Sequence, residues 1–452
     1  VTSPGDGPGF GVYVHVPFCA SRCDYCDFAT WTDRAHLVHD YVDACVADVQ
    51  RRAPHVPPAT SVFFGGGTPS FLPADELARV LAAVPRTEGA EVTVECNPDS
   101  VDAEKLAVYR AAGVTRLSFG VQSMRTHVLA ALGRTHDPAN VTRAIASARS
   151  AGFESFNVDV IFGAPGETVD DWRATLDAVV ALDPPHVSAY ALTVEPATPL
   201  GRRVAAGGAG PDDDDQATKY EVTDEVLTGA GLGWYEISNW ARPGHECRHN
   251  LLYWAQGEYL GIGCAAHGHT ASGAGAARRW WNVRTPERYV DHIGRGSSPE
   301  AGEERLDADT RAEEALTLAL RTRTGARFGP AARDTVDELC GYGLLEADAA
   351  GAGRAVLTRR GRLLAGDVTA RLLAAAGSGG RTRSAAGYQP LPSGTLAARG
   401  RQPSDSWHSV HSSASGPAPP DRDSRTPPTG DCSSGPSVPI HLEPTGPTRV
   451  SS

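Results

Sequence analysis

A chain of 452 residues with 41% hydrophobic content has room for two or three domains around a real core. Its formal net charge of −12 argues against nucleic acid or an anionic membrane surface as the main partner. No run approaches the ~18 consecutive apolar residues of a membrane span, and the Gly/Pro-rich start has neither the basic nor the apolar region of a signal peptide, so a cytoplasmic location is expected.

In chain order, residues 1–9 read as disordered, and residues 10–215 alternate short apolar runs with helical patterns. Strands are predicted at Gly11–Val16, Ser61–Phe64, Glu91–Glu95, Arg116–Gly120, Ser155–Ile161 and His186–Leu192. Between them, Leu77, Val80, Leu81 and Val84 recur at helical spacing in Ala74–Val84. A second helix runs from Thr168, a suitable N-cap, through Trp172, Leu176, Val179 and Val180. Six strand–helix alternations predict an α/β fold, an incomplete parallel (β/α) barrel with its chemistry at the strand C-termini.

The acidic run Asp212–Asp215 reads as a solvated helix lead-in rather than a metal site. Residues 216–305 form a mixed, aromatic-rich extension of the barrel. Residues 306–376 suggest a small winged-helix-like domain: helices Glu313–Leu320 and Ala331–Cys340, a turn with Ala355–Thr358, and a last helix from Arg359. With few basic residues on any one of its helices, it reads as structural rather than DNA-reading. From Gly377 to Ser452 the chain is rich in Ser, Pro, Gly, Thr and Arg and should be disordered, whether as a native tail, a frameshift product or read-through.

Of nine cysteines, Cys19, Cys23 and Cys26 fall within eight residues while the others are scattered singly, which fits a reduced protein with one metal site. The three follow the first strand in Val14-His15-Val16-Pro17-Phe18-Cys19-Ala20-Ser21-Arg22-Cys23-Asp24-Tyr25-Cys26. Three thiolates can hold three irons of a [4Fe–4S] cubane and leave the fourth iron open for a substrate or cofactor. A structural zinc site would want a fourth ligand, for which only Cys96 or His15 stands nearby in the reading.

Cys-x₃-Cys-x₂-Cys with an aromatic before its last cysteine resembles the radical S-adenosylmethionine (SAM) superfamily. Further segments narrow the likeness: Phe64-Gly65-Gly66-Gly67-Thr68-Pro69-Ser70, Glu95-Cys96-Asn97-Pro98, Arg116–Ser123, Leu132-Gly133-Arg134-Thr135-His136 and Asn157–Gly166. In this order they are similar to the family of oxygen-independent coproporphyrinogen III oxidases and HemW-type heme chaperones, over roughly residues 10–371. The resemblance implies that Cys19, Cys23 and Cys26 hold the cluster, and that Gly66, Gly67, Thr68, Glu95, Gln122, Arg134 and Asp159 contact SAM, with Tyr13 near the cluster loop. It also implies an electron donor such as flavodoxin or ferredoxin and reductive cleavage of the SAM sulfonium to a 5′-deoxyadenosyl radical.

Two features separate the branches of that family. The oxidases carry a further cysteine two residues after the third, where this chain has Phe28. Arg248-His249-Asn250-Leu251-Leu252-Tyr253-Trp254 resembles the His-Asn-x-x-Tyr-Trp motif of the heme chaperones. The resemblance therefore favours a heme-binding chaperone with a heme-accepting protein as partner, and places a propionate-decarboxylating porphyrinogen enzyme second. His249 is the candidate axial heme ligand, against the alternative of a histidine hydrogen-bonded in an aromatic core.

Overall fold

The computed structural model describes residues 9–273 and 275–377. The disorder expected for the N-terminus and the tail falls, save for Gly9 and Gly377, outside the described residues.

Six parallel strands run in sequence order through the middle of one sheet: β1 (Phe10–Val16), β2 (Ala59–Gly66), β3 (Arg86–Cys96), β4 (Arg116–Gln122), β5 (Ser155–Phe162) and β6 (His186–Ala191). All six predicted strands are present, each within a few residues of its expected ends. Their cores are near-continuous apolar runs, and Val62, Phe64, Val94, Leu117, Phe119, Val158 and Val160 are fully buried. That pattern belongs to parallel strands covered on both faces. Helix Ala74–Ala83 buries Leu77, Val80 and Leu81 as their spacing requires. Thr168 caps Val169–Ala181 through a reciprocal box with Asp171.

The acidic run is a helix lead-in, as expected: Asp212 caps Asp213–Gly229 by accepting from Asp215 N at 2.9 Å. Asp215 in turn pairs at 2.6 Å with Lys219, which is fully buried.

Residues 216–305 extend the same sheet at both edges. On one side β7 (Gly233–Glu236) and β8 (Asn239–Ala241) form a hairpin that pairs antiparallel with β6. On the other, β9 (Glu258–Ile262) lies parallel to β1, followed by antiparallel β10 (His267–Ala271), β11 (Ala277–Asn282) and β12 (Glu300–Leu306). The resulting order, β12-β11-β10-β9-β1-β2-β3-β4-β5-β6-β8-β7, leaves the sheet unclosed.

After β12, five helices from Ala308 to Gly377 surround a small antiparallel pair, β13 (Ala326–Arg327) and β14 (Arg354–Ala355). They share a second apolar core built on Leu320, Val336, Leu339, Leu345, Leu357, Val368 and Leu372. Arg362 ties this core to helix Asp213–Gly229 through two 2.9 Å bonds to the Asp224 carboxylate.

Candidate functional site

A cavity of about 560 Å³ is lined by side chains from all six of β1–β6, by the β7–β8 hairpin and by the cysteine loop. Six consecutive strands can face one space only if the sheet curls around it. Tyr13, Gly66, Gly67, Thr68, Glu95, Gln122, Arg134, Asp159, His249 and the three cysteines all line this cavity.

The cysteine loop leaves the C-terminal end of β1 and is fixed by its backbone. Cys19 N donates to Trp31 O at 3.1 Å, Trp31 N to Pro17 O at 2.8 Å, and Asp24 N to Leu132 O at 3.1 Å. Cys19, Cys23 and Cys26 remain partly exposed. Thr68 Oγ1 donates to Cys19 Sγ and Arg134 to Cys23 Sγ, both at 3.4 Å. Burial pushes the Cys19 thiol up and the Cys26 thiol to about 12, so a thiolate here calls for a cationic partner.

Among the described residues no three His, Cys, Asp or Glu side chains converge on one metal-ion position. A zinc ion would need its thiolates about 4 Å apart; a cubane gives each thiolate its own iron. Neither candidate fourth zinc ligand is available. Cys96 is buried and points its thiol at Val94 O, and His15 is held between Tyr13 Oη at 3.2 Å and Ala29 O at 2.9 Å.

The glycine segment packs directly on the loop. Gly67 N donates to Val16 O at 2.7 Å and Thr68 N to Phe18 O at 2.9 Å. A Cβ on Gly67 would lie 2.8 Å from both of those carbonyl oxygens and 3.1 Å from Cys19 Sγ. Gly66 adopts φ +107° and donates its N–H to Glu95 Oε2 at 3.2 Å. At a bulge in β4, Gln122 takes a left-handed φ of 65°, a strained conformation for a residue with a side chain. Arg134 Nε is buried without an acceptor among the described residues.

The carboxylates carry little compensating charge. Burial, with Asp159 adding repulsion, raises Glu95 to about 8. Burial also raises Asp159, although Ser118 Oγ at 2.8 Å and Asn157 Nδ2 at 2.7 Å both donate to it. Strand register continues this row sideways, from Asp159 to Ser188 on β6, Asn239 on β8 and Glu236 on β7. Glu236 Oε1 and Asn239 Oδ1 are buried with no partner among the described residues.

No sequence motif pointed to Glu236 or Asn239. The β7–β8 hairpin is too short to show a period, and only its pairing with β6 brings these residues to the cavity. Burial raises Glu236 to about 7. An acid whose folded pKa exceeds its unfolded value binds more protons in the folded state, so stability is lost as pH rises through that interval. Glu236→Gln should therefore raise stability at pH 8 by roughly 1–3 kcal/mol, with the gain vanishing near pH 4, below the unfolded carboxylate range. Thermal melts at both pH values check this; an equal effect at both would refute the linkage.

The Arg248–Trp254 segment departs from expectation. It forms a short helix at the opposite end of the cavity from the cysteines, not at a strand C-terminus. Glu91 caps it, accepting from Arg248 N and His249 N at 3.1 Å each. His249 is fully buried against the row Gly11–Ser61–Glu91, four residues or about 13 Å along β1 from His15. Its Nδ1 meets Ser61 Oγ at 2.9 Å and its Nε2 meets Tyr253 Oη at 2.8 Å. Its ring stacks on Phe63 with centroids 5.4 Å apart, and burial holds it neutral, lowered to about 3. Both ring nitrogens thus carry a hydrogen-bond partner, and ligation of an iron would require the Tyr253 or Ser61 hydroxyl to give way.

Three comparisons bear on this architecture. The profile of the radical SAM superfamily matches residues 13–179. The heme chaperone HemW of Mycobacterium tuberculosis is 44% identical over 385 residues, covering 82% of this chain and 96% of that protein. HemW of Escherichia coli K12 is 37% identical over 290 residues, 63% of this chain and 76% of the relative. Among solved structures, the coproporphyrinogen III oxidase HemN of E. coli superposes with a TM-score of 0.69 at 22% identity, covering 81% of this chain and 90% of that one, a likeness of fold.

Proposed function

The chain belongs to the HemW family of heme chaperones within the radical SAM superfamily, and from that premise we propose that it binds heme and passes it to acceptor proteins. The observation that carries this reading is the reach of the likeness, which spans 96% of the mycobacterial heme chaperone. Radical SAM membership implies a [4Fe–4S] cluster and SAM. When bound, that pair supplies one-electron chemistry at a sulfonium.

The residues of the cavity suit both. Cys19, Cys23 and Cys26 would each hold an iron, with Arg134 supplying positive charge beside Cys23 Sγ. Gly66, Gly67 and Thr68 offer backbone close enough to the loop to receive the amino-acid end of SAM, and the unpartnered Arg134 Nε suits its carboxylate. Glu95 and Asp159 accept from hydroxyl or ammonium groups, with Gln122 beside them and Tyr13 stacked toward Phe63. The remaining partners are a one-electron donor such as flavodoxin or ferredoxin and a heme-accepting protein. No helix among the described residues is long and apolar enough to cross a membrane, and a cytoplasmic setting fits this role.

The second reading is a coproporphyrinogen III oxidase, whose fold this chain shares. Anaerobic reconstitution followed by two assays separates them. Heme titration should show saturable binding, SAM should alter the EPR spectrum of the reduced cluster, and coproporphyrinogen III should be returned unchanged. Protoporphyrinogen IX formed over many turnovers would overturn the chaperone reading.

A further inference from the structure

Asp159 does not stand alone in the cavity wall: a row of buried polar side chains leads to it from the edge strand β7. We infer that His186, on β6, is a positioning residue for Asp159, fixing through Asn157 how that carboxylate is presented to SAM. The inference rests on the assignment of Asp159 to SAM above.

The bonds of the row run in one direction. Cys247 N–H donates to Tyr235 Oη at 3.3 Å, which leaves the tyrosine proton to His186 Nε2 at 2.8 Å. His186 then carries its own proton on Nδ1, which donates to Asn157 Oδ1 at 2.7 Å. With its oxygen so engaged, the Asn157 amide turns its Nδ2 to Asp159 Oδ1 and to Ser118 Oγ, both at 2.7 Å. Ser118 Oγ in turn donates to Asp159 Oδ2 at 2.8 Å. The backbone amide at the start can only donate, and it sets the sense of every bond after it. With the Asn157 amide reversed, an oxygen instead of a nitrogen would face the carboxylate. Burial keeps His186 neutral, its pKa well below the ordinary value, so the tautomer and not a charge carries the effect.

Packing alone does not call for these residues. On their outward face the same strands carry Phe119, Val158, Val160 and Val187, all fully buried. The inward neighbours are Ser118, Asn157, Asp159, His186 and Ser188, and all five line the cavity. Tyr235 and His186 are 1% exposed and Asn157 4%, a depth at which an unpaired polar group is costly. A carboxylate has about four acceptor sites, so these donors orient Asp159 without exhausting it.

The test is a double-variant cycle in the cluster-loaded full chain. SAM affinity is read by equilibrium dialysis, alongside the SAM-induced change in the EPR spectrum of the reduced cluster. His186→Phe should weaken SAM binding about ten-fold or more at unchanged iron content. In an Asp159→Ala background, itself weakened, the same substitution should change affinity by less than about two-fold, because the carboxylate it positions is gone. His186→Asn, whose amide nitrogen takes the place of Nδ1, should bring affinity back to within about three-fold of wild type. No loss in His186→Phe, an equal loss in both backgrounds, or no rescue by Asn would each overturn the positioning role and leave the assignment of Asp159 to SAM standing. Should His186→Phe not fold, His186→Gln takes its place in the cycle, since its longer amide reaches toward Tyr235 and leaves Asn157 Oδ1 unfilled. Wild-type SAM affinity in Asp159→Ala would overturn the assignment of Asp159 and this inference with it. A wild-type cluster whose spectrum ignores SAM would overturn the SAM reading itself.

Discussion

Replacing Cys19, Cys23 or Cys26 with Ala should give a folded, colourless protein whose iron content after anaerobic reconstitution drops from about four per chain to near zero. The fold should survive because the loop's geometry does not depend on the thiols. Its anchors are backbone bonds, Cys19 N to Trp31 O and Asp24 N to Leu132 O on one side and Leu200 N to Asp24 O at 2.9 Å on the other. The thiols are partly exposed, so their removal opens no sealed core. Cys45→Ala is the informative contrast. Cys45 is 1% exposed inside the main core, on helix Val38–Arg52 rather than in the loop, so its loss should cost about 1 kcal/mol of stability and leave the iron untouched. Iron and sulfide analysis with melting curves separates the two patterns. Full iron in the triple variant Cys19→Ala/Cys23→Ala/Cys26→Ala would remove these residues from the cluster site.

What could be read before folding, and what could not, follows from where each signal resides. The six central strands were legible because a parallel strand buried on both faces is a continuous apolar run, whatever pairs with it. The edge strands were not. Glu300–Leu306 reads Glu-Ala-Gly-Glu-Glu-Arg-Leu, and it becomes a strand by pairing with β11, where Arg278 and Arg279 meet its carboxylates. The cysteine loop and the glycine segment were legible as motifs, since covalent spacing alone limits where three thiols can go. The Arg248–Trp254 motif was equally visible, yet its placement was not. His249 takes its partners from Glu91 and Ser61, which lie 158 and 188 residues away in sequence. It fits only because Gly11 lacks a side chain: a Cβ there would stand 3.0 Å from the imidazole Cε1. A local motif names the residues that matter, but only tertiary contacts decide which of their atoms remain free.

The three glycines at the end of β2 should respond to substitution in a fixed order, and Gly67→Ala should be the most damaging for the cluster. The obstacles to a methyl at Gly67 are backbone oxygens, Val16 O and Phe18 O, each at 2.8 Å, and the oxygens cannot rotate away. They are also the acceptors of Gly67 N and Thr68 N, so any shift that relieves the clash breaks the bonds that hold the cysteine loop to β2. The third obstacle is Cys19 Sγ itself. The strain should cost about 2–3 kcal/mol, the range for overpacking a fixed backbone, and it falls where the first thiolate must be aimed. Gly65→Ala meets ring atoms instead, Phe63 Cε1 at 3.0 Å and Tyr13 Cε2 at 3.1 Å, and rings can turn by the few tenths of an ångström required. Gly66→Ala lies between them: its methyl would meet the hydrogen-bonded His15 ring at 2.4 Å and the residue would be forced into a left-handed φ of +107°, but a ring gives way more readily than backbone oxygens. Iron content after reconstitution should therefore rank Gly65→Ala highest and Gly67→Ala lowest, with melting temperatures in the same order. A Gly67→Ala protein with wild-type iron and wild-type melting would show that the loop and the glycine segment are not mechanically coupled, and would detach the glycines from the cluster site.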